Sequence, residues 1–338
     1  MAAGPSQEYA VLCGVEATPG TAESADGADA MALISCDITP VGGPRDAQVI
    51  TPNASFREAV SSAQQHMRVD LSYELNAHAS AGVGPKVDRL WVAGGWVATV
   101  VGGTSVTYAP DPTPLVAPGL APTYPPPDPN TRYALTVRKE YQPGGQSNFE
   151  EARGVRFGGP TIEGTANTLI FKQTGLGLWS DVDRNVTPTG SLTLPTTALI
   201  DKMDYAGTPL AIFGGSAGFV LRSFLFDPGM EAIVRPSLSA ENGYELGVIQ
   251  RVRPMRLELG LEDIDEGIWG KVAAWLAATS GDVELAYLTG ALGFKLTVRN
   301  AVVRDLPPSR GYPLEKRVSL TAGWDGSSGD LEASILVN

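Results

Sequence analysis

The sequence predicts a mainly β chain with few helices, and three observations carry that expectation. Glycine and proline, 39 and 26 of 338 residues, approach a fifth of the chain, which favours short strands joined by tight turns. One segment, Arg68–Ala77, alternates apolar and polar residues with a strict period of two. One block also recurs: Met67-Arg-Val-Asp-Leu-Ser-Tyr-Glu74 lines up with Met255-Arg-Leu-Glu-Leu-Gly-Leu-Glu262. At 43% hydrophobic and 18% charged, the chain can bury a core and is no disordered polymer.

Element by element, residues 1–30 are rich in Ala, Gly, Asp and Glu without periodicity and read as an arm. Met31–Ile38 is a first candidate strand. In Arg68–Ala77, Val69, Leu71, Tyr73 and Leu75 point one way, and Asp70, Ser72, Glu74 and Asn76 the other. Pro85 suits the first turn of a helix in PKVDRLWVAGG, with Val87, Leu90 and Trp91 on one face. Ser105–Tyr108 is a short strand, after which nine prolines in 109–130 exclude a helix or a central strand. Strands are expected at Tyr133–Tyr141, Ala152–Phe157 and Thr161–Lys172. Turn-forming residues dominate 179–209, which reads as a linker between a first β domain, 1–178, and a second, 210–338. In the second, Phe219–Phe226, Ala232–Leu238, Met255–Leu261, Val283–Leu288, Phe294–Arg299 and Arg317–Ala322 read as strands. Asp265–Ala278 reads as an amphipathic helix buried along Ile268, Trp269, Val272 and Leu276.

The recurrence extends beyond one block. Each copy of the block is followed by a tryptophan-containing helix. Next comes a strand with the same tetrapeptide, Leu135-Thr-Val-Arg138 and Leu296-Thr-Val-Arg299, and then Val155-Arg156 and Val303-Arg304. The shared order of strand, helix, strand, strand predicts an internal duplication.

Charge and motifs exclude several classes of function. Acidic residues outnumber basic ones 37 to 25, for a net charge of −12, so the chain is not built to grip phosphates or anionic lipid. No run of eighteen apolar residues offers a transmembrane helix, and MAAGPSQEYAVLCG lacks the basic-then-apolar pattern of a secretory signal. Cys13 and Cys36 can pair in principle, but in a reducing cytosol they are expected as free thiols. Gly214-Gly-Ser216-Ala-Gly218 matches a nucleophile elbow, yet the only histidines, His66 and His78, both precede Ser216. Asp263-Ile-Asp265-Glu-Gly267 echoes a calcium loop without its downstream glutamate ligand, and Asp181-Val-Asp183-Arg-Asn185 echoes one without the glycine. No catalytic residue, metal site or cofactor is predicted, and the chain does not read as an enzyme.

Taken in order, several segments resemble the major tail tube protein of long, flexible-tailed bacteriophages. Gly14-Val-Glu-Ala-Thr-Pro-Gly-Thr-Ala22 is similar to the family's opening motif. Asp88-Arg-Leu-Trp-Val-Ala-Gly-Gly95 with Val106-Thr-Tyr-Ala-Pro110 resembles its helix and strand. Glu151-Ala-Arg-Gly-Val-Arg-Phe-Gly158, followed by Glu163-Gly, resembles a strand pair of the family, and Pro254-Met-Arg256 and Gly293-Phe-Lys-Leu continue the pattern. The resemblance implies a β-sandwich tube domain, duplicated here, assembled into stacked rings in a virion tail after synthesis in the host cytoplasm. About six tube domains make such a ring, so three duplicated chains would close it; six chains would if the duplication is false. The implied partners are further copies of the chain, a tape-measure protein in the lumen, tail terminator and distal tail proteins, and DNA passing without being bound; no membrane is involved. Asp70, Glu74, Glu258 and Glu262, on the polar faces of the repeated strand, are expected to line the channel as an acidic collar, although alternation alone also allows that face to meet outside solvent. The contrasting expectation is a soluble β-rich binding or adhesin module, which would need exposed aromatic residues clustered on one face.

Overall fold

A computed structural model describes residues 9–23, 26–42, 45–49, 57–61, 66–76, 82–110, 134–141, 147–165, 168–178, 183–186, 192–194, 210–213, 215–216, 220–236, 244–262, 280–289, 292–305, 315–321 and 333–337. The chain is mainly β, with a single short α-helix among the described residues. The first half runs through β1 (Tyr9–Val15), β2 (Ala30–Met31), β3 (Ser35–Val41), β4 (Arg45–Val49), β5 (Arg57–Ser61) and β6 (His66–Glu74). After α1 (Asp88–Ala93) come β7 (Trp96–Val101), β8 (Ser105–Pro110), β9 (Leu135–Tyr141), β10 (Ser147–Phe157), β11 (Thr161–Thr165), β12 (Leu169–Leu178) and β13 (Asp183–Val186). The second half holds β14 (Leu210–Ile212), β15 (Gly215–Ser216), β16 (Val220–Asp227), β17 (Met230–Pro236), β18 (Tyr244–Arg251), β19 (Arg256–Glu262), β20 (Gly281–Thr289), β21 (Leu292–Asp305), β22 (Glu315–Thr321) and β23 (Ala333–Val337).

One long antiparallel sheet spans both halves in the order β3–β6–β12–β11–β16–β19–β22. Its inner face is dictated by alternation: Val69, Leu71 and Tyr73 on β6, Phe171 on β12, Phe224 and Phe226 on β16, and Leu257 and Leu259 on β19 are all buried. Against that face lie β1–β9–β10 from the first half and β14–β20–β21–β23 from the second, the latter continued by β8 and β7. One apolar cluster fills the space between, shared by both halves; Phe171 meets Phe294 edge-on at 5.7 Å across them.

Helix α1 plugs this core. Leu90, Trp91 and Ala93 are buried, and Gly95 (φ 81) turns the chain out of the helix where a side chain would be strained. The buried Trp91 indole donates to the Tyr73 hydroxyl at 2.7 Å, which donates to Gln173 Oε1 at 2.6 Å; the Gln173 amide donates to the Gly158 carbonyl at 2.9 Å. The polar tips of three buried side chains are thus satisfied together.

The two halves use the same order of pairings. β1–β9–β10 has its counterpart in β14–β20–β21, and β3–β6–β12 in β16–β19–β22. The ribbon β4–β5 stands where β17–β18 does. Registers agree as well: the shift that carries Met67 to Met255 carries Asp37↔Asp70 onto Leu225↔Glu258 and Thr39↔Arg68 onto Asp227↔Arg256. β10 and β21 even share a bulge. The pairs Val137↔Ala152 and Leu135↔Val155 flank one containing Gly154 (φ 62), and Val283↔Val298 and Gly281↔Ala301 flank one containing Asn300 (φ 48).

Several expectations need correction. Residues 1–30 do not form only an arm: β1 is a paired strand with Val11, Leu12 and Cys13 buried, because both of its faces meet protein. Thr161–Lys172 is not one strand but the hairpin β11–β12. The supposed linker 179–209 contains β13, which pairs with β10. The shared Leu-Thr-Val-Arg does not mark equivalent strands, since it falls on β9 and on β21, whereas β20 is the strand that pairs as β9 does. The strands β4, β5, β7, β14, β15, β18 and β23 have no counterpart among the expected strands. The helix expected at 265–278 and the proline-rich stretch from 111 onward lie outside the described residues, while Ala109 and Pro110 end β8.

Candidate functional site: the polar face of the long sheet

The outer face of the long sheet gathers the residues that alternation points away from the core. On β6 these are Arg68, Asp70, Ser72 and Glu74, and on β19 Arg256 and Glu258. Reading across the sheet in register, Glu74 stands opposite Ile170, Ile170 opposite Glu163, Glu163 opposite Leu225, and Leu225 opposite Glu258. Carboxylates therefore recur on every second strand, about 9–10 Å apart at the usual strand spacing. Three of the four expected residues, Asp70, Glu74 and Glu258, share this face; Glu262 ends β19 opposite Val220 and Glu315, and its side chain lies outside the described residues.

The acidic collar needs a correction of its own. Arg68 binds Asp70 at 2.8 Å, and Thr174 donates to the same carboxylate at 2.6 Å. Arg256 binds Glu258 at 2.5 Å, the same arrangement in the other half. Lys172 binds Glu163 at 2.7 Å. Glu74 alone of these acids has no ion pair among the described residues. The strip is thus a row of exposed ion pairs, worth at most about 1 kcal/mol each for stability, with a charge far smaller than its carboxylates suggest. Arg68 and Arg256 were visible in the sequence, two residues before Asp70 and Glu258 and on the same side of a strand. Glu163 joins the row only through the non-local pairing of β11 with β12 and β16.

Beside this strip lies an open cleft of roughly 690 Å³ between β6, β12 and the start of β17. Its charges are also paired, Arg253 binding Asp227 at 3.0 Å and Glu231 at 3.4 Å. No protein-family model and no curated protein matches the chain. Among the described residues no cluster of three or more His, Cys, Asp or Glu side chains could hold a metal ion. Ser216 sits in the two-residue strand β15, paired with Ala211. Cys13 and Cys36 are free and buried, and burial pushes the Cys36 thiol up to about 12 and raises that of Cys13 as well, so neither is an activated nucleophile.

The family-like motifs converge on a second cluster that sequence reasoning did not assemble. Glu16 is 4% exposed, and its carboxylate accepts from Gly20 N at 2.6 Å, Thr136 Oγ1 at 2.9 Å and Gly154 N at 2.6 Å. The Glu of Gly14–Ala22 and the Gly of Glu151–Gly158 are therefore one device that pins the β10 bulge to the end of β1. Its role is architectural.

Proposed function

We propose that the chain is a structural subunit of the tail tube of long, flexible-tailed bacteriophages, with a duplicated tube domain in each chain and three chains closing a pseudo-sixfold ring. The observation that carries this reading is the repeated register: two sets of strands pair in one order, with one shared bulge position, and both contribute to a single two-faced sheet. A ring needs an apolar face for its own wall and a hydrated face for the lumen, and the long sheet supplies both. The ion-paired strip suits a lumen first filled by a tape-measure protein and later crossed by DNA, because Arg68, Lys172 and Arg256 are each paired with a carboxylate rather than left to neutralise phosphates. A carbohydrate-binding or adhesin module has less support: Trp91 and Trp96 are buried, and the large hydrophobic side chains exposed among the described residues are all aliphatic.

Mass photometry and negative-stain microscopy of the purified chain test the proposal. Three chains of 35.4 kDa give a ring of about 106 kDa, and six give about 212 kDa. Rings of three, stacking into tubes, are the expected result. Rings of six would remove the three-chain closure and keep the tube, whereas a monomer at every concentration would remove both.

A further inference from the structure

We propose that one chain binds the next through β3 and the β4–β5 ribbon, in a copy of the seam that already joins the two halves of each chain. The occupant of this surface is a second copy of the same chain. The inference rests on the duplication read above and adds which strands meet.

The internal seam has two parts. The first is an edge: β16 pairs with β19 on one side and takes β11 of the first half on the other, through Ile162↔Phe226, Glu163↔Leu225 and Gly164↔Phe224. The second is a ribbon: β17–β18, which follows β16, folds back onto β10 and β12 of the first half. Its base rests on two glycine corners. Gly159 N donates to the Met230 carbonyl at 3.1 Å, and a Cβ on Gly158 would lie 2.5 Å from that same oxygen. A Cβ on Gly95 would lie 3.1 Å from Met230 Cε and 3.3 Å from Ile249, which is 7% exposed. No larger residue fits at Gly158 while the ribbon is seated, and one at Gly95, where φ is 81, would be strained and would make Met230 and Ile249 shift.

Among the described residues the first half carries the matching parts without their cover. β3 stands where β16 does, with Cys36, Asp37 and Ile38 at the positions of Phe224, Leu225 and Phe226, and among the described residues its outer edge pairs with no strand. The β4–β5 ribbon repeats the register of β17–β18 next to the turn, one shift carrying Val49↔Arg57 onto Pro236↔Tyr244 and Gln48↔Glu58 onto Arg235↔Glu245. Both ribbons close with connections of equal length, 50–56 and 237–243. Among the described residues β4–β5 bonds only to itself. At the far end of the long sheet, Glu315–Val318 of β22 pair only with β19 among the described residues. Among the described residues each chain thus bears one covered seam and two strand edges, on β3 and on Glu315–Val318 of β22, that are paired on one side only; residues 306–314, which stand between β21 and β22 as β11 stands between β10 and β12, lie outside the described residues. Unpaired strand edges template further pairing, and a head-to-tail contact of this kind propagates from copy to copy until a ring closes.

The test uses the full chain with a photoreactive benzophenone amino acid at Ala47, in an equal mixture of isotopically light and heavy protein. Irradiated rings should yield cross-links between light and heavy chains from position 47 to residues 302–321. Cross-links confined to one chain, or landing elsewhere on the neighbour, overturn the seam while the rings themselves still support a tube. Absence of rings overturns both. In a second variant, residues 46–60 are replaced by Gly-Ser-Gly. A folded chain whose half-assembly concentration rises about tenfold or more is expected; rings at the wild-type concentration would overturn the seam. Should this variant not fold, the cross-link decides.

Discussion

The bulges at Gly154 and Asn300 occupy the same position in the two halves and have the same backbone conformation, yet they are satisfied differently. At the first, the buried amide of a left-handed residue is taken by Glu16, itself buried and brought in from the end of β1, with Thr136 holding the same carboxylate. At the second, Asn300 N donates to Asp282 at 3.2 Å, and Asp282 stands on β20 where Thr136 stands on β9. The carboxylate comes from the end of β1, the strand beyond β9, at the first bulge and from the adjacent strand β20 at the second. The comparison teaches that the bulge is the shared requirement, because at it β10 passes from pairing with β9 to pairing with β12, and β21 from β20 to β22, while the means of satisfying it differ.

The largest expected effect follows from burial. Replacing Glu16 by Ala removes the acceptor for three donors, two of them buried, Thr136 Oγ1 and Gly154 N, and with a loss of about 1–3 kcal/mol for each buried group left unsatisfied, a destabilisation of at least about 2 kcal/mol is expected. Asp282 is exposed, so its amide partner can turn to water, and Asp282→Ala should cost less than about 1 kcal/mol. Urea unfolding of the two variants measures the difference. Equal losses would show that the two carboxylates do the same work and that burial is not what separates them.

A smaller effect tests the backbone itself. Gly154 adopts φ 62 at no steric cost, so Gly154→Ala should destabilise by about 1–2 kcal/mol. Asn tolerates this region better than other side-chain-bearing residues, and Asn300 already carries most of the penalty. Asn300→Ala should therefore cost less than about 1 kcal/mol and Asn300→Gly should be neutral or mildly stabilising. A loss on Asn300→Gly larger than that on Gly154→Ala would mean that the Asn side chain, not its backbone, serves the second bulge.

How much of this was legible depended on whether a signal was local. β6 and β19 could be read because one face is buried and the other wet, which writes a period of two into the residues. β1 could not: Val11, Leu12 and Cys13 are buried in succession, so no alternation sets the strand apart from an apolar scrap of arm. β11 and β12 merged into one expected strand although the buried positions change parity between them, from Ile162 and Gly164 to Leu169 and Phe171, because Ile170 is apolar yet lies on the outer face. The candidate face was half legible. Alternation placed Asp70, Glu74 and Glu258 on it, but counting acids without the arginines two residues earlier made a collar out of ion pairs. The Glu16–Gly154 contact joins residues 138 apart and leaves no periodic trace. The four-residue identity Leu-Thr-Val-Arg misled because short strings recur in any β-rich chain, whereas pairing order does not.

The smallest effect sharpens the comparison through pH. His66 begins β6, and the residue standing in its place before β19 is Pro254, which cannot titrate. His66 is buried, and that burial lowers its pKa below the ordinary histidine value of about 6.5. The unfolded chain therefore takes up the proton first as pH falls. Stability from this group is complete above about pH 6.5 and is lost as pH drops toward and below the folded-state value, where the buried ring must charge as well. The loss belongs to the first half alone. Unfolding free energies measured between about pH 5 and 7.5 should decline on the acid side in the native chain and run flatter in His66→Gln, since glutamine keeps the polar bulk and removes the proton. An unchanged slope would assign the pH dependence to other groups and leave the two ends of β6 and β19 alike in this respect.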